Sequence, residues 1–304
     1  MIRALHISDV HVDVPFARIP WRAWLGKRLL GGGNLWLRRG RYFRRTREKL
    51  AALERFRAEQ GAELVLCTGD YTALGTEPEL AAAREAIDPL TRGRLGFVTV
   101  PGNHDVYVND ALGRFEAIFA ELLGTDLPQY RADAHWPIVR LIGDSVAVVA
   151  VNSARPNPQP WRSSGLVPAA QLDALARILR DPRVRERFVF VITHYAPRLA
   201  DGRPDRYTHG LVNADALLAV CADLPYGAIL HGHVHRCFTV RVPGVSPPLF
   251  SAGSTTQEGR EGLWLFEIDG EGMRAVRGAW DGARYVLTAD EVRVEHPRRL
   301  RAVG

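Results

Sequence analysis

Up to about residue 224, short unbroken apolar runs alternate with stretches whose apolar residues recur every three or four positions. Residues 2–8 (IRALHIS) read as a buried strand that enters a loop at Asp9. Residues 45–61 place Leu50, Leu53 and Phe56 on one helical face and stop at Gly61. The same reading predicts a strand over 62–70 ending at Asp70, a helix over 78–90, a strand over 95–105 running into a loop, and a helix over 110–124. Residues 137–143 and 145–153 predict two strands about Gly143-Asp144, a hairpin-turn signal. A helix over 168–181, a strand over 187–195 and a helix over 213–224 follow. From 227 onward the pattern is strand only: 227–232, 237–242, 248–253, 262–268 and 273–288. Residues 289–304 are polar and read as a loosely held tail, leaving one domain over 1–288.

Apolar strands alternating with helices predict sheets covered by helices, and such sheets bind ligands at the carboxyl ends of their strands. Five strand ends carry metal-binding residue types. They supply Asp9 and His11 (SDVH), Asp70 (TGDYT), Asn103, His104 and Asp105 (PGNHD), His194 (VITHY), and His233 and His235 (HGHVH). Taken singly, an Asp after a strand is a turn or cap residue and a lone His is a core residue. Taken together, carboxylate, amide and imidazole donors without thiolate suit manganese, iron, zinc or nickel. In an extended segment His233 and His235 would point to one side while Val234 points into the core. His231 shares their parity but precedes Gly232, and reads as a strand-end neighbour.

The ordered motifs DVH, GD, GNHD, TH and GHVH, spanning residues 9–235, resemble those of the calcineurin-like metallophosphoesterase superfamily. The resemblance implies an α/β fold, a four-layer α-β-β-α sandwich of two mixed sheets with a dinuclear metal site at the strand ends. By motif, Asp9, His11, Asp70 and His235 would hold one divalent ion. Asp70, Asn103, His194 and His233 would hold the other, with Asp70 bridging. Manganese, iron or zinc would serve. Two cations roughly 3.5–4 Å apart clamp a phosphoryl group and activate a bridging water. His104 is then the general acid or transition-state stabiliser, and Asp105 would orient His104 or cap the following helix. SAGST (251–255) resembles the segment that follows the last histidine motif, where Ser254 would support the site or form a turn. Arg155, Arg198, Arg206 and His209 are candidate substrate contacts, with solvated surface positions as the alternative.

The basic character is local. Between Arg18 and Lys49 eleven Lys and Arg residues face one acid, Glu48, within a chain whose net charge is +6. Trp21, Trp24 and Trp36 lie among leucines there. Such a segment suits an anionic membrane surface, single-stranded nucleic acid, or a cap over the active site. No obligate protein partner is implied.

Composition narrows the classes further. At 46% hydrophobic and 24% charged, the chain can bury a sizeable core. Its apolar runs are strand-length, and its N-terminus lacks the apolar stretch of a signal peptide. Three scattered cysteines predict reduced thiols in a cytoplasmic protein, peripheral on the inner face of the membrane if the insert binds lipid. There is no GxSxG elbow and no P-loop, and Cys67 sits inside an apolar strand.

The expected activity is therefore phosphomonoester or phosphodiester hydrolysis. A cyclic nucleotide and a lipid-linked phosphate or pyrophosphate are the candidate substrates. LHGHVHR resembles UDP-diacylglucosamine pyrophosphohydrolases, although those carry Arg where this chain has His104. The competing class is a non-catalytic membrane- or nucleic-acid-binding scaffold on the same fold.

Overall fold

The unbroken apolar runs reflect strands buried on both faces. In β5 (Val146–Ala150), Val146, Val148 and Ala150 face a core shared by two sheets, while Ala147 and Val149 face helices. In β6 (Phe188–Ile192), Phe188, Phe190 and Ile192 face the shared core and Val189 and Val191 the helices. The computed structural model describes residues 1–12, 14–24, 28, 40–43, 45–157, 159 and 161–296.

One mixed sheet is built on β1 (Ile2–Ile7), β2 (Leu64–Cys67) and β3 (Gly96–Thr99), which are parallel neighbours. On the other side of β1, β10 (Leu263–Ile268), β11 (Gly272–Trp280) and β12 (Tyr285–Glu295) add antiparallel, giving the order β12-β11-β10-β1-β2-β3. The second sheet contains β4 (Ile138–Ile142), β7 (Gly227–His231), β8 (Cys237–Val240) and β9 (Leu249–Ala252) with β5 and β6, in the order β4-β5-β6-β7-β9-β8. Rings interlock between the sheets: Phe266 meets Phe190 at 5.0 Å and Phe250 at 5.1 Å between centroids. Helices α1 (Thr46–Glu59), α2 (Glu77–Ile87) and α3 (Ala111–Ile118) contribute Leu50, Leu53, Phe56, Leu80 and Phe115 to the first core. Helices α4 (Ala169–Ile178), α5 (Pro182–Arg185) and α6 (Ala214–Cys221) cover the second sheet through residues such as Leu175, Val184 and Leu217. The result is the expected α/β sandwich of two mixed sheets with helices outside.

One sequence expectation changes. The tail does not begin at 289, because β12 continues to Glu295 in register with Gly272. Its period-two pattern puts Val292 and Val294 against the core and charges outward, as an edge strand requires. Residues 297–304 lie outside the described residues, as does most of 25–39 within the basic insert. What is described of the insert consists of 3₁₀ turns at Phe16–Arg18, Trp21–Trp24 and Gly40–Phe43, together with Arg28. Among the described residues, no helix is long and apolar enough to cross a membrane.

The insert leads into α1, whose Lys49 is fully buried. Its ammonium meets Glu261 at 2.6 Å, the Thr256 carbonyl at 2.9 Å and Glu258 at 3.1 Å, tying α1 to the loop between β9 and β10. Lys49→Met should destabilise the protein by about 3–5 kcal/mol, because Glu261 keeps a buried charge without its counter-ion. Urea unfolding measures this, and a loss below about 1 kcal/mol would show that the tie is not structural.

Candidate metal centre

The chemistry-bearing loops all leave the carboxyl ends of strands β1, β2, β3, β6 and β7. Among the described residues, every non-glycine residue with positive φ belongs to this set: Asp9 (53°), His11 (43°), Asp70 (60°), His233 (70°) and His235 (49°). That region is costly for residues with a Cβ, so the surroundings must hold these turns in place. Three consecutive hydroxyls do so for the first loop. Ser254 Oγ donates to the Asp9 carbonyl at 2.7 Å, Thr255 Oγ1 to Ser8 at 2.7 Å and Thr256 Oγ1 to Val10 at 2.5 Å. Ser254 thus takes the supporting role open to it from the sequence.

Asp105 holds the second loop. Its carboxylate accepts from the backbone N–H of Asp70, Tyr71, Thr72 and Gly102, and from the Thr72 hydroxyl. It neither contacts the His104 ring nor caps α3, so both roles expected of it give way to a loop-building one. Burial and the Asp70 carboxylate push its pKa up to about 7, against the pull of the N–H groups. His104 is oriented instead by the Ala73 carbonyl, 2.7 Å from its Nδ1.

The left-handed turns also revise the picture of residues 231–235. His233 and His235 are not in an extended segment, and Val234 lines the cleft rather than the core. His231 lies fully buried on β7 and is not part of the donor cluster.

One ring nitrogen of each histidine expected as a ligand is committed to an oxygen acceptor. Nδ1 of His11 donates to Thr72 O at 2.8 Å, and Nδ1 of His194 donates to Thr68 O at 2.7 Å. Nε2 of His233 donates to His209 O at 3.0 Å, and Nδ1 of His235 donates to Gln257 Oε1. The opposite nitrogens carry lone pairs, and these face inward. His235 Nε2 lies 3.0 Å from Asp9 Oδ1; His194 Nε2 and His11 Nε2 lie 3.5 and 3.8 Å from Asp70 Oδ2. His194 Nε2 and His233 Nδ1 converge on Asn103 Oδ1 at 3.0 and 2.8 Å.

This donor set fits divalent cations. Burial lowers the pKa of the His194 and His233 rings, which favours their neutral form. Two lone pairs and an amide oxygen therefore meet with no proton between them, an arrangement that a cation satisfies. Ligand atoms of Asp9, His11, Asp70 and His235 can all lie within 4.8 Å of one another. A ring N–H bonded to a carbonyl is the usual outer support of a metal-binding histidine. The seven predicted ligand residues are thus brought together. Cys67, by contrast, is buried with its thiol pushed up to about 12, which leaves it a poor nucleophile.

Above this cluster opens a cleft of about 870 Å³, lined by Asp70, Asn103, His104, His233 and His235. His209 lies on its wall, its Nδ1 2.6 Å from Asp205 and its ring 4.2 Å from that of His233. The three arginines expected as substrate contacts are elsewhere. Arg155 bonds Ser164 at 3.0–3.1 Å, Arg198 pairs with Asp215, and Arg206 is exposed away from the lining. Arg162, Arg236 and Arg260 take their place, with Trp161 and Tyr107. Adjacency to His235 could have pointed to Arg236; nothing in the sequence marks Arg162 or Arg260.

A model of the calcineurin-like phosphoesterase family matches residues 2–237. A dimetal phosphatase from Danio rerio shares the fold with a TM-score of 0.62 at 14% identity, over 94% of this chain and 98% of that one. Purple acid phosphatase PPD1 from yellow lupin seeds gives a TM-score of 0.62 at 10% identity, over 97% of this chain and 53% of that one. GAP50, the anchor in the inner membrane complex of Plasmodium, gives 0.54 at 9% identity, over 97% and 88%. These three likenesses are likenesses of fold. No curated protein matches the sequence.

A Cβ on Gly232 would fall 1.8 Å from Ser8 Oγ and 2.6 Å from Asp9 Oδ2. Gly232→Ala should therefore displace Asp9 and lower metal content, while Asp70→Ala should abolish metal binding. Metal analysis of the purified, folded variants checks both; full metal occupancy in Asp70→Ala would remove it from the ligand set.

Proposed function

The chain belongs to the calcineurin-like phosphoesterase family, and from that premise we propose that it hydrolyses a phosphodiester carrying a flat aromatic group, a cyclic nucleotide being the simplest. Membership makes it a hydrolase of phosphoester bonds that uses divalent metal ions. The substrate reading rests on one observation: Trp161, 77% exposed, stands at the cleft beside Arg162, whose guanidinium lies 4.9 Å over the ring of Tyr207. A base stacks on such an aromatic surface, and arginine pairs with phosphate oxygens. Arg236 and Arg260 add positive charge to the same wall. The convergence of all seven ligand residues favours catalysis over a scaffold.

Asp9, His11, Asp70 and His235 would hold one divalent ion and Asp70, Asn103, His194 and His233 the other. Manganese, iron and zinc all suit these donors. Held by these residues, divalent ions would supply Lewis-acid polarisation of a phosphoryl oxygen and a water that is nucleophilic at neutral pH. The chain's own groups do the positioning. The His104 amide donates to Asp70 Oδ1 at 2.8 Å and fixes that carboxylate. The His104 ring commits Nδ1 to Ala73, so its hydrogen bond to the leaving oxygen falls to Nε2. On the cleft wall Tyr107 lies nearly parallel to the His104 ring at 5.9 Å between centroids.

A second reading, a lipid-linked phosphate at an anionic membrane, is supported by Trp21. It is 71% exposed, with Arg22 5.4 Å over its ring, in the basic insert.

With Mn²⁺, the enzyme should turn over cyclic nucleotides and aryl phosphodiesters, and a chelator should stop it. His104→Ala should lower kcat roughly 100-fold or more with metals retained. Absence of turnover by metal-loaded protein on mono- and diesters alike would refute the hydrolase reading. For the insert, vesicles containing anionic lipid should co-sediment the protein and not a variant lacking residues 18–49; equal pelleting of both would refute membrane binding.

A further inference from the structure

The loop that follows Asp70 has two anchors of different origin. From the front of α2, Glu79 Oε1 accepts the N–H groups of Ala73 and Leu74 at 3.2 and 3.1 Å. From the basic insert comes Arg28, only 7% exposed. Its Nε donates to the Leu74 carbonyl at 2.9 Å and its Nη2 to the Gly75 carbonyl at 2.7 Å. A guanidinium presents its donors in a rigid plane, so two such bonds fix the direction of both carbonyls. The neighbouring carbonyls on the same loop hold the site. Ala73 O takes His104 Nδ1, and Thr72 O takes His11 Nδ1. Thr72 Oγ1, within 3.0 Å of both the Asp105 carboxylate and the His104 carbonyl, shares its one proton between them and accepts from Gly75 N at 3.2 Å. Gly75 has a φ of 61°, and a Cβ there would fall 2.8–2.9 Å from the carbonyls of Asp105 and His104. The loop is therefore pressed against the very segment that carries His104.

We propose that Arg28 is a positioning residue for His104. It acts through the Thr72–Gly75 loop, and by it the basic insert sets the placement of the histidine ring over the metal centre. No substrate contact by Arg28 is involved. The inference deepens the reading of His104 given above and rests on it. Its consequence is that whatever seats or unseats the insert alters turnover at the step in which His104 takes part.

The test compares Mn²⁺-loaded wild type, Arg28→Met, Arg28→Lys, His104→Ala and the Arg28→Met/His104→Ala double variant. The substrates are two esters of one phosphate, with a p-nitrophenyl or an alkyl leaving group. A poor leaving group needs the His104 hydrogen bond most. Arg28→Met should lower kcat on the alkyl ester about tenfold, and much less on the p-nitrophenyl ester, with KM little changed, because a displaced ring loses alignment rather than binding. Arg28→Lys, which keeps one donor, should recover part of the loss. In the His104→Ala background, Arg28→Met should add nothing, as expected of residues acting in series. Metal content and melting temperature show that each variant is folded and loaded. Equal losses on both esters, or a full further loss in the double variant, would overturn the role of Arg28. If His104→Ala itself shows no preference between the esters, the leaving-group role of His104 fails. The Arg28 assignment is then decided by the double variant alone, where additivity overturns it.

Discussion

Two carboxylates, Asp9 and Asp70, lie buried where the strand ends of both sheets meet, surrounded by imidazole nitrogens whose lone pairs point inward. Burying ionised groups is expensive, and a neutral lone pair beside a carboxylate returns nothing. A cation at the same place satisfies all of them together. The donor set thus fits a cation site, and the surrounding structure holds its side chains together.

The means are mainly backbone. Five ligand residues adopt left-handed φ, and each loop is secured by groups from distant parts of the chain. The 254–256 hydroxyls hold the Asp9 loop, the Asp105 carboxylate holds the Asp70 loop, and carbonyls at 68, 72 and 209 fix three imidazole rings. Lys49 ties α1 to the loop that carries Gln257, which in turn orients His235. Strain at the ligands is therefore offset by hydrogen bonds one layer out. The architecture concentrates its buried polar residues at one end of the sandwich, and apolar packing such as that of Phe190, Phe250 and Phe266 fills the interior between the sheets.

The cleft above the centre adds what the ligands lack. Neutral histidines and an asparagine limit negative charge, and Arg162, Arg236 and Arg260 make the wall attractive to an anion. The exposed Trp161 offers a stacking surface at its edge. The basic insert reaches this machinery from behind through Arg28, so a segment with no ligand of its own is joined to the loop that orients His104.

Much of this was legible in the residues. The strand and helix pattern follows from local periodicity, and β5 and β6 read as doubly buried because each face of an apolar run has a layer to meet. The seven candidate donors that the structure brings together were legible because strand-end motifs keep donor types in a fixed order, whatever the loops between them do. Other features depend on contacts between residues far apart. Asp105 builds the Asp70 loop because folding brings 70–72 and 102 to its carboxylate, 30 residues and more from the first of these. Arg155, Arg198 and Arg206 look like anion contacts in the sequence, but Ser164, Asp215 and the surface claim them, while unmarked arginines enter the cleft. The left-handed backbone at 233 and 235 is not a local preference of histidine and turns Val234 to the cleft. The part of β12 beyond residue 288 was hidden because an edge strand with one solvated face is as polar as a tail. By itself the sequence determined the fold class, the candidate donor residues and their order, since period and residue type are local properties. The tertiary structure alone decided which donor atoms face one another, what orients His104 and which arginines line the cleft, since these depend on contacts that exist only once the two sheets have packed.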